Sequence, residues 1–227
     1  MMSKSEMNKS AIEIQLKTFL GYYYYYWFYR QPASFTFNGT VFPYFYHKYN
    51  ATWRTERIVE VPIILDWMKR FEGKNILEVG NVLSHYIPIQ HTVIDKYEKA
   101  PNVINSDIVG FQPGCKYDLI VSISTLEHVG FDETPQEGTK ILHAWENLYG
   151  LLNVNGTLVV TLPIGYNSKL DQFLHLNQMP FTHKKYLKRL TKSNKWGEVA
   201  WQDIQDARYG HPFPGANGLV IGTREKH

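Results

Sequence analysis

The sequence predicts an α/β protein built around a mostly parallel sheet. Short segments rich in Val, Ile and Leu recur from Asn75 onward, with helical or loop stretches between them. The first four of these segments lead into glycine, an acid or a small polar residue, and the fifth into proline. Near the end of the chain the pattern changes to strand-like stretches with no strong helix between them. Alternation of this kind produces right-handed crossovers and a parallel sheet, and the final stretches read as an antiparallel closure at its edge.

The length of 227 residues suits one domain, residues 1–227, with 1–57 as a helical and aromatic N-terminal cap and 58–227 as the core. A hydrophobic content of 44% is ample for one sizeable core, and a net charge of +3 is too weak a field to draw in nucleic acid. The single cysteine, Cys115, excludes an internal disulfide framework and fits a reducing, cytoplasmic setting. No secretory signal is visible at the start. The stretch from Thr18 to Tyr29 is too short to span a bilayer, which needs roughly 20 apolar residues. It reads instead as a packed cap or a docking surface, including one for a second copy of the chain.

Ser10-Ala-Ile-Glu13 reads as a capping box opening a helix that buries Ile12, Leu16, Phe19 and Leu20. Residues Ser34 to Tyr49 are aromatic and carry a turn at Asn38-Gly39, which suggests a hairpin. The helical stretch from Thr55 to Phe71 contains Pro62, so a break near Val61 is expected, with a new helix presenting Ile64, Met68 and Phe71. Five strands follow: Asn75–Val79, Thr92–Ile94, Val103–Asn105, Leu119–Ile123 and Thr157–Leu162. Before the fifth, Thr134-Pro-Gln-Glu137 reads as a capped start for a helix burying Ile141, Trp145 and Leu148 and stopped by Gly150. Trp196–Trp201 and Leu219–Thr223 are expected to pair as the closing strands, with Asn217-Gly218 as a turn. The basic run Lys184, Lys185, Lys188, Arg189, Lys192 and Lys195 reads as a solvated helix face, with an anionic acceptor or partner as the alternative.

In an open α/β sheet ligands bind beyond the carboxyl ends of the strands, so the residues after each strand matter most. They are Glu78-Val-Gly80-Asn-Val-Leu-Ser84, Asp95, Asp107, Ser124-Thr-Leu-Glu-His128 and Pro163-Ile-Gly-Tyr-Asn167. This succession resembles the class I S-adenosylmethionine-dependent methyltransferases, from about Asn75 to Pro163. The resemblance implies a Rossmann-like fold with a seven-stranded, mostly parallel sheet and S-adenosyl-L-methionine as cofactor. Glu78 and Gly80 would hold its methionine portion, Asp95 the ribose hydroxyls, and Asp107 would face the adenine. Asn81, Lys96, Ser124 and Thr125, at the same strand ends, complete the expected cofactor-contacting set. The chain departs from the family at Val82 and Ser84, where further glycines are usual. The missing glycines also disfavour a nicotinamide dehydrogenase, whose pyrophosphate needs them. Glu78 has a second reading, as an organiser of the loop backbone.

His128 is the expected general base, since imidazole titrates near neutrality. Asp171 and His175, one helical turn apart, either face the site or serve the start of a helix at Ser168; without a third ligand they imply no metal. Asn50-Ala-Thr-Trp-Arg-Thr-Glu-Arg-Ile-Val-Glu60 with Pro62, and Pro163 to Asn167 with Asp171, are similar to small methyltransferases of glycan biosynthesis. That likeness implies O-methylation of a sugar hydroxyl, on a glycan or a nucleotide sugar. Tyr44, Tyr46, Tyr49 and Trp53 are suited to sugar faces, or equally to a core or dimer contact. A catalytically silent scaffold domain is the alternative from another class, and methylation of another small molecule or a protein keeps the fold but changes the acceptor.

Overall fold

The computed structural model describes residues 33–227 together with Leu20, Gly21 and Tyr23. The helix expected from Ser10 and the tyrosine run fall outside the described residues, apart from these three, which are helical. Leu20, expected to be buried, is exposed.

The chain begins with the expected hairpin, β1 (Ser34–Phe37) and β2 (Thr40–Pro43), turned at Asn38 and Gly39, both in the left-handed region. Helix α1 (Arg57–Arg70) follows. It runs unbroken through Pro62, against the expected break at Val61. Proline at this position removes the bond to the Ile58 carbonyl, which instead accepts from the Phe45 amide at 2.9 Å. The carbonyl is satisfied from outside the helix, so the helix need not end. Ile64 is buried, with Met68 and Phe71 packed beside it, as the pattern indicated.

The sheet is formed by β3 (Ile76–Val79), β4 (Thr92–Ile94), β5 (Val103–Ile104), β6 (Tyr117–Ile123), β7 (Leu152–Pro163), β8 (His183–Arg189), β9 (Trp196–Val199) and β10 (Gly218–Glu225). Its order is β5-β4-β3-β6-β7-β10-β8-β9. β3 to β7 are mutually parallel, while β10 runs antiparallel to both of its neighbours and β9 closes the edge antiparallel to β8. The sheet therefore has eight strands rather than seven. The added strand, β8, takes Lys184, Lys185, Lys188 and Arg189 of the basic run read from sequence as a helix face, while Lys192 and Lys195 lie in the loop that follows it. The strand's lysines, Lys184, Lys185 and Lys188, flank Tyr186 and Leu187, and Leu187 is fully buried. Arg189 is buried as well, donating to the carbonyls of Arg54 and Pro214. The two closing segments do not pair with each other, because β8 lies between them.

Helices are fewer than alternation implied. No α-helix lies between β3 and β4, between β4 and β5, or between β5 and β6; these crossovers are loops, the first with a short helical turn at Leu83–His85. Helix α2 (Lys140–Leu151) and α3 (Ser168–His175) flank β7. α2 begins at Lys140, not at Thr134. The segment before it folds back, with the Glu137 amide donating to the Gly130 carbonyl at 2.8 Å, and the Thr134–Pro135 bond is cis. Gly150 lies inside α2, which passes directly into β7.

Ile141, Trp145 and Leu148 bury one side of α2 against Leu77, Ile120 and Val160 on one face of the sheet. α1 covers the other face through Val61 and Ile64 against Leu119, Val121 and Val159. The hairpin adds a third cluster, in which Phe35, Phe42 and Tyr44 meet Trp196 and Leu219. Tyr44 is pinned there, its hydroxyl accepting from the Trp196 amide at 2.7 Å.

Gly222 in β10 is a packing requirement rather than a conformational one. A Cβ there would stand 2.2 Å from the Phe181 ring, which packs on Trp145 at 4.7 Å. Gly222→Ala is expected to cost about 1–3 kcal/mol by overpacking. In a Phe181→Ala background the same change should cost less than about 1 kcal/mol, because the two sites are in contact. Urea unfolding midpoints of the four proteins measure this coupling.

Candidate active site

The strand order reverses between β3 and β6, and at the carboxyl ends of β3, β4, β5 and β6 lies a cavity of about 320 Å³. Gly80, Asn81 and Val82 line it after β3, Asp95 to Glu98 after β4, and Ser106 to Ile108 after β5. Ser124, Thr125 and His128 line it after β6, and Arg57, Tyr49, His85 and Tyr86 complete the wall. Every expected cofactor-contacting residue except Glu78 thus faces one space. Val82 narrows that space without filling it.

Glu78 is wholly buried and does not reach the cavity. One oxygen accepts from the amides of Val82 and Leu83 at 2.9 and 2.7 Å, and the other meets His91 Nε2 at 2.6 Å. It holds the loop, which corrects the expectation of a direct contact. Gly80 turns that loop with φ of 89°, and a Cβ would stand 2.2 Å from Thr125 Oγ1. No other residue meets both conditions. Ser84, in place of a second glycine, is exposed and donates to Asn81 Oδ1.

Asp95 accepts from the amides of Asn81, Tyr97 and Glu98. A carboxylate offers about four acceptor directions, so one remains for a ligand. Glu98, which sequence reasoning missed, also lines the cavity; its Oε1 accepts from Asn81 Nδ2 at 2.7 Å and lies 3.0 Å from His85 Nε2. Its position three residues beyond Asp95 was the available signal.

Asp107 sits in a four-charge cluster. Lys96 and Lys140 lie 2.9 and 2.6 Å from its Oδ2, and both also pair with Glu133 at 3.0 and 2.5 Å. Burial works to raise the Asp107 pKa, but the two lysines outweigh it and hold it at about 2. Lys96 is therefore shared between two carboxylates, not free in the cavity.

At the opposite side, Ser124 adopts a left-handed backbone with φ of 38° and donates from Oγ to Glu60 at 2.5 Å. The same Glu60 oxygen accepts from Thr161 Oγ1 at 2.6 Å, and the other pairs with Arg57. Helix α1 is thereby tied to the ends of β6 and β7. Glu56 accepts from the Ala216 amide at 3.0 Å. Neither glutamate was singled out from sequence.

His128 stands at the cavity wall with Nδ1 2.5 Å from Asp132 Oδ2 and Nε2 3.7 Å from Glu127 Oε1. Tyr166 donates to the same Asp132 oxygen at 2.7 Å and packs edge-on against His128 at 4.8 Å. Burial raises the Asp132 pKa, but the bonds from His128 and Tyr166 more than offset this and lower it. Asp132 was missed, its four-residue spacing from His128 being the sequence signal; Tyr166 falls in the Pro163 to Asn167 stretch marked after the fifth strand but was given no role. Glu127 is buried, and its Oε2 has no hydrogen-bond partner. Burial drives its pKa well up, Glu60 and Glu56 add to this, and Arg57 opposes it.

Asp171 and His175 do not join the cavity. Asn167, not Ser168, caps α3 by accepting from the amides of Lys169 and Leu170, and Asp171 accepts from the Gly165 amide. His175 contacts the Gln205 carbonyl and packs edge-on against Trp201. Of the four cap aromatics, Tyr44 and Trp53 are buried and Tyr46 packs against the cluster that holds Tyr44, while Tyr49 alone lines the cavity, stacked on His85 at 4.1 Å. Among the described residues no group of three or more His, Cys, Asp or Glu is placed to hold a metal ion, and no helix is long and apolar enough to cross a membrane.

A parallel sheet with this strand order, a ligand-sized hollow at its switch point and an antiparallel closure is the Rossmann-like methyltransferase fold. No family model matches the sequence and no curated protein is similar to it. Solved structures with a similar chain path include the N-methyltransferase NodS from Bradyrhizobium japonicum WM9 with S-adenosyl-L-homocysteine, at 13% identity and TM-score 0.42, covering 67% of this chain and 77% of that one. TehB from Haemophilus influenzae is 12% identical at TM-score 0.45, covering 79% of this chain and 65% of its own. Magnesium protoporphyrin IX methyltransferase from Synechocystis PCC 6803, with bound SAM, is 13% identical at TM-score 0.40, covering 74% and 78%. The fold assignment rests on this chain's own strand order.

Because burial keeps Glu127 protonated above its usual range, folding takes up a proton that the unfolded chain has released. Glu127 therefore costs stability increasingly as pH rises above about 4.5, up to its folded pKa. Glu127→Gln should raise the melting temperature at pH 7 and 8, with the gain vanishing near pH 4. Equal gains at all three values would mean that titration is not the cause.

Proposed function

We propose that the chain is an S-adenosyl-L-methionine-dependent methyltransferase that acts on a hydroxyl of a sugar, in a glycan or a nucleotide sugar, and that residues 1–227 form one domain. The observation that carries this reading is the convergence of Gly80, Asp95, Asp107 and Ser124 from four neighbouring strand ends on one cavity at the switch point. The residues fit the cofactor. Gly80 leaves the loop without a side chain beside Thr125, Asp95 has an acceptor direction left for a ribose hydroxyl, and Asp107 is kept anionic for a donor such as an adenine amino group.

When bound, the cofactor supplies a methyl group on a sulfonium that needs no further activation. The protein's task is then to align the acceptor and remove its proton. Asp132 accepts the Nδ1 proton of His128, which fixes the tautomer that leaves the Nε2 lone pair for the acceptor hydroxyl. As Nε2 takes the proton, the resulting imidazolium lies against the Asp132 carboxylate. Glu127, biased toward its neutral form by burial, does not draw Nε2 into an ion pair. The Tyr166 ring lies beside His128, and Tyr209 and Phe131 pack on Tyr166 at 5.1 and 5.8 Å. Such faces suit the C–H surface of a sugar, and this supports the choice of acceptor.

Calorimetry on the wild-type chain is expected to give micromolar-range binding of S-adenosyl-L-methionine, and Asp95→Ala should abolish it. Unaltered affinity in that variant removes Asp95 from the site. A thermal scan at saturating cofactor should raise the melting temperature by mass action; no rise points to a silent scaffold. His128→Ala should lower turnover on a sugar acceptor by roughly 10²–10⁴-fold with cofactor affinity intact, and Asp132→Asn should lower it through loss of the tautomer. Full turnover in His128→Ala assigns the base elsewhere.

A further inference from the structure

We infer that Arg57 anchors the carboxylate of the cofactor's amino-acid chain, an assignment that rests on the cofactor reading above. The argument begins with direction. Along the sheet edge the order β5, β4, β3, β6 separates Asp107 from Ser124 by three strand spacings, roughly 14 Å at about 4.8 Å each. With an adenine beside Asp107 and a ribose beside Asp95, the amino-acid portion runs past Gly80 toward Ser124. A free amino acid carries a carboxylate, and a carboxylate leaving water requires a cation or several donors.

The basic side chains lining the cavity are Arg57, Lys96, His85 and His128. Lys96 is bound between Asp107 and Glu133, at the adenine side. His85 is stacked on Tyr49 and paired with Glu98, and His128 is held by Asp132. Arg57 stands at the Ser124 side with His128, because the carboxylate it pairs with, Glu60, is the carboxylate to which Ser124 donates, and unlike His128 it is a permanent cation.

Arg57 is also built for the task. Its side chain is 12% exposed, so most of the cost of taking a cation out of water has been met in folding. Burial alone disfavours its charge, but Glu60 and Glu56 outweigh that and keep it protonated. Glu60 is itself fixed by Ser124 and Thr161, so the guanidinium rests on a rigid support. A guanidinium has five donors in a planar fork. One of its terminal nitrogens, Nη1, serves Glu60, and the side chain opens onto the cavity. The fork geometry matches a second carboxylate, which a lysine would meet only as a point charge.

The test is a cycle in which the carboxylate is removed from the ligand and the guanidinium from the protein. Calorimetry would compare S-adenosyl-L-methionine with its decarboxylated analogue on the wild-type chain, Arg57→Met and Arg57→Lys. The wild type should bind the intact cofactor about 10–100-fold more tightly than the analogue, the range for a charge-assisted contact. Arg57→Met should bind the two equally, and Arg57→Lys should keep only part of the preference. Should Arg57→Met fail to fold, the wild-type pair and the lysine variant decide the matter. Equal affinity of the wild type for both ligands, or a preference that survives in Arg57→Met, overturns the assignment while leaving the cofactor reading standing. If neither ligand binds the wild type, the cofactor reading fails and takes this inference with it.

Discussion

The site depends on one buried carboxylate. Glu60, fully enclosed, receives Ser124 and Thr161 on one oxygen and Arg57 on the other. These contacts join α1 to the carboxyl ends of β6 and β7, the two strands on one side of the switch point. They hold Ser124 in a left-handed backbone that a serine rarely adopts unaided. Removing one partner of such a group leaves a charge buried and unpaired, which costs far more than the pair gains. The geometry of the cavity wall and the attachment of the first helix are therefore one problem with one solution.

The other side of the switch point is organised by a different device. Between β3, β4 and β5 the crossovers carry no α-helix, and side-chain acceptors do what helix turns do elsewhere. Glu78 gathers the amides of Val82 and Leu83, Asp95 those of Asn81, Tyr97 and Glu98. Asn105 Nδ2 then closes the next loop by donating to the carbonyls of Asp95 and Glu98. Backbone groups that a helix would pair internally are paired here by acids. Asp95 thus both shapes its loop and faces the ligand space, so there loop structure and site chemistry cannot be separated.

Around His128 the local field is set by two carboxyl groups in contrasting surroundings. Asp132 is partly exposed and receives two hydrogen bonds, which favour its anion. Glu127 is enclosed and lacks a partner on one oxygen, which favours its neutral form. One carboxyl beside each ring nitrogen, pushed in opposite directions, orients the imidazole without trapping it between two anions.

How far the sequence reached depends on what kind of force fixes each feature. Local hydrophobic runs bounded by glycine and acids determined the five parallel strands, the hairpin at Asn38-Gly39 and the strand-end series Gly80, Asp95, Asp107 and Ser124, because these follow from side-chain alternation and backbone sterics. Tertiary packing decided the rest. Pro62 does not break α1 because a distant amide, that of Phe45, takes the freed carbonyl. The lysine-rich segment is a strand because its slot beside β10 offers a full set of backbone partners. Asp171 and His175 look toward the site in sequence yet serve the Gly165 loop and the Trp201 wall. Conversely, the bonds that Glu60 takes from Ser124 and Thr161 come from groups many residues away, and the short spacings of Glu98 from Asp95 and of Asp132 from His128 gained meaning only once the fold brought Asn81 to Glu98 and Tyr166 to Asp132. Short-range pattern specifies which elements form; only the folded chain determines which charges meet, because burial and pairing are properties of the assembled interior.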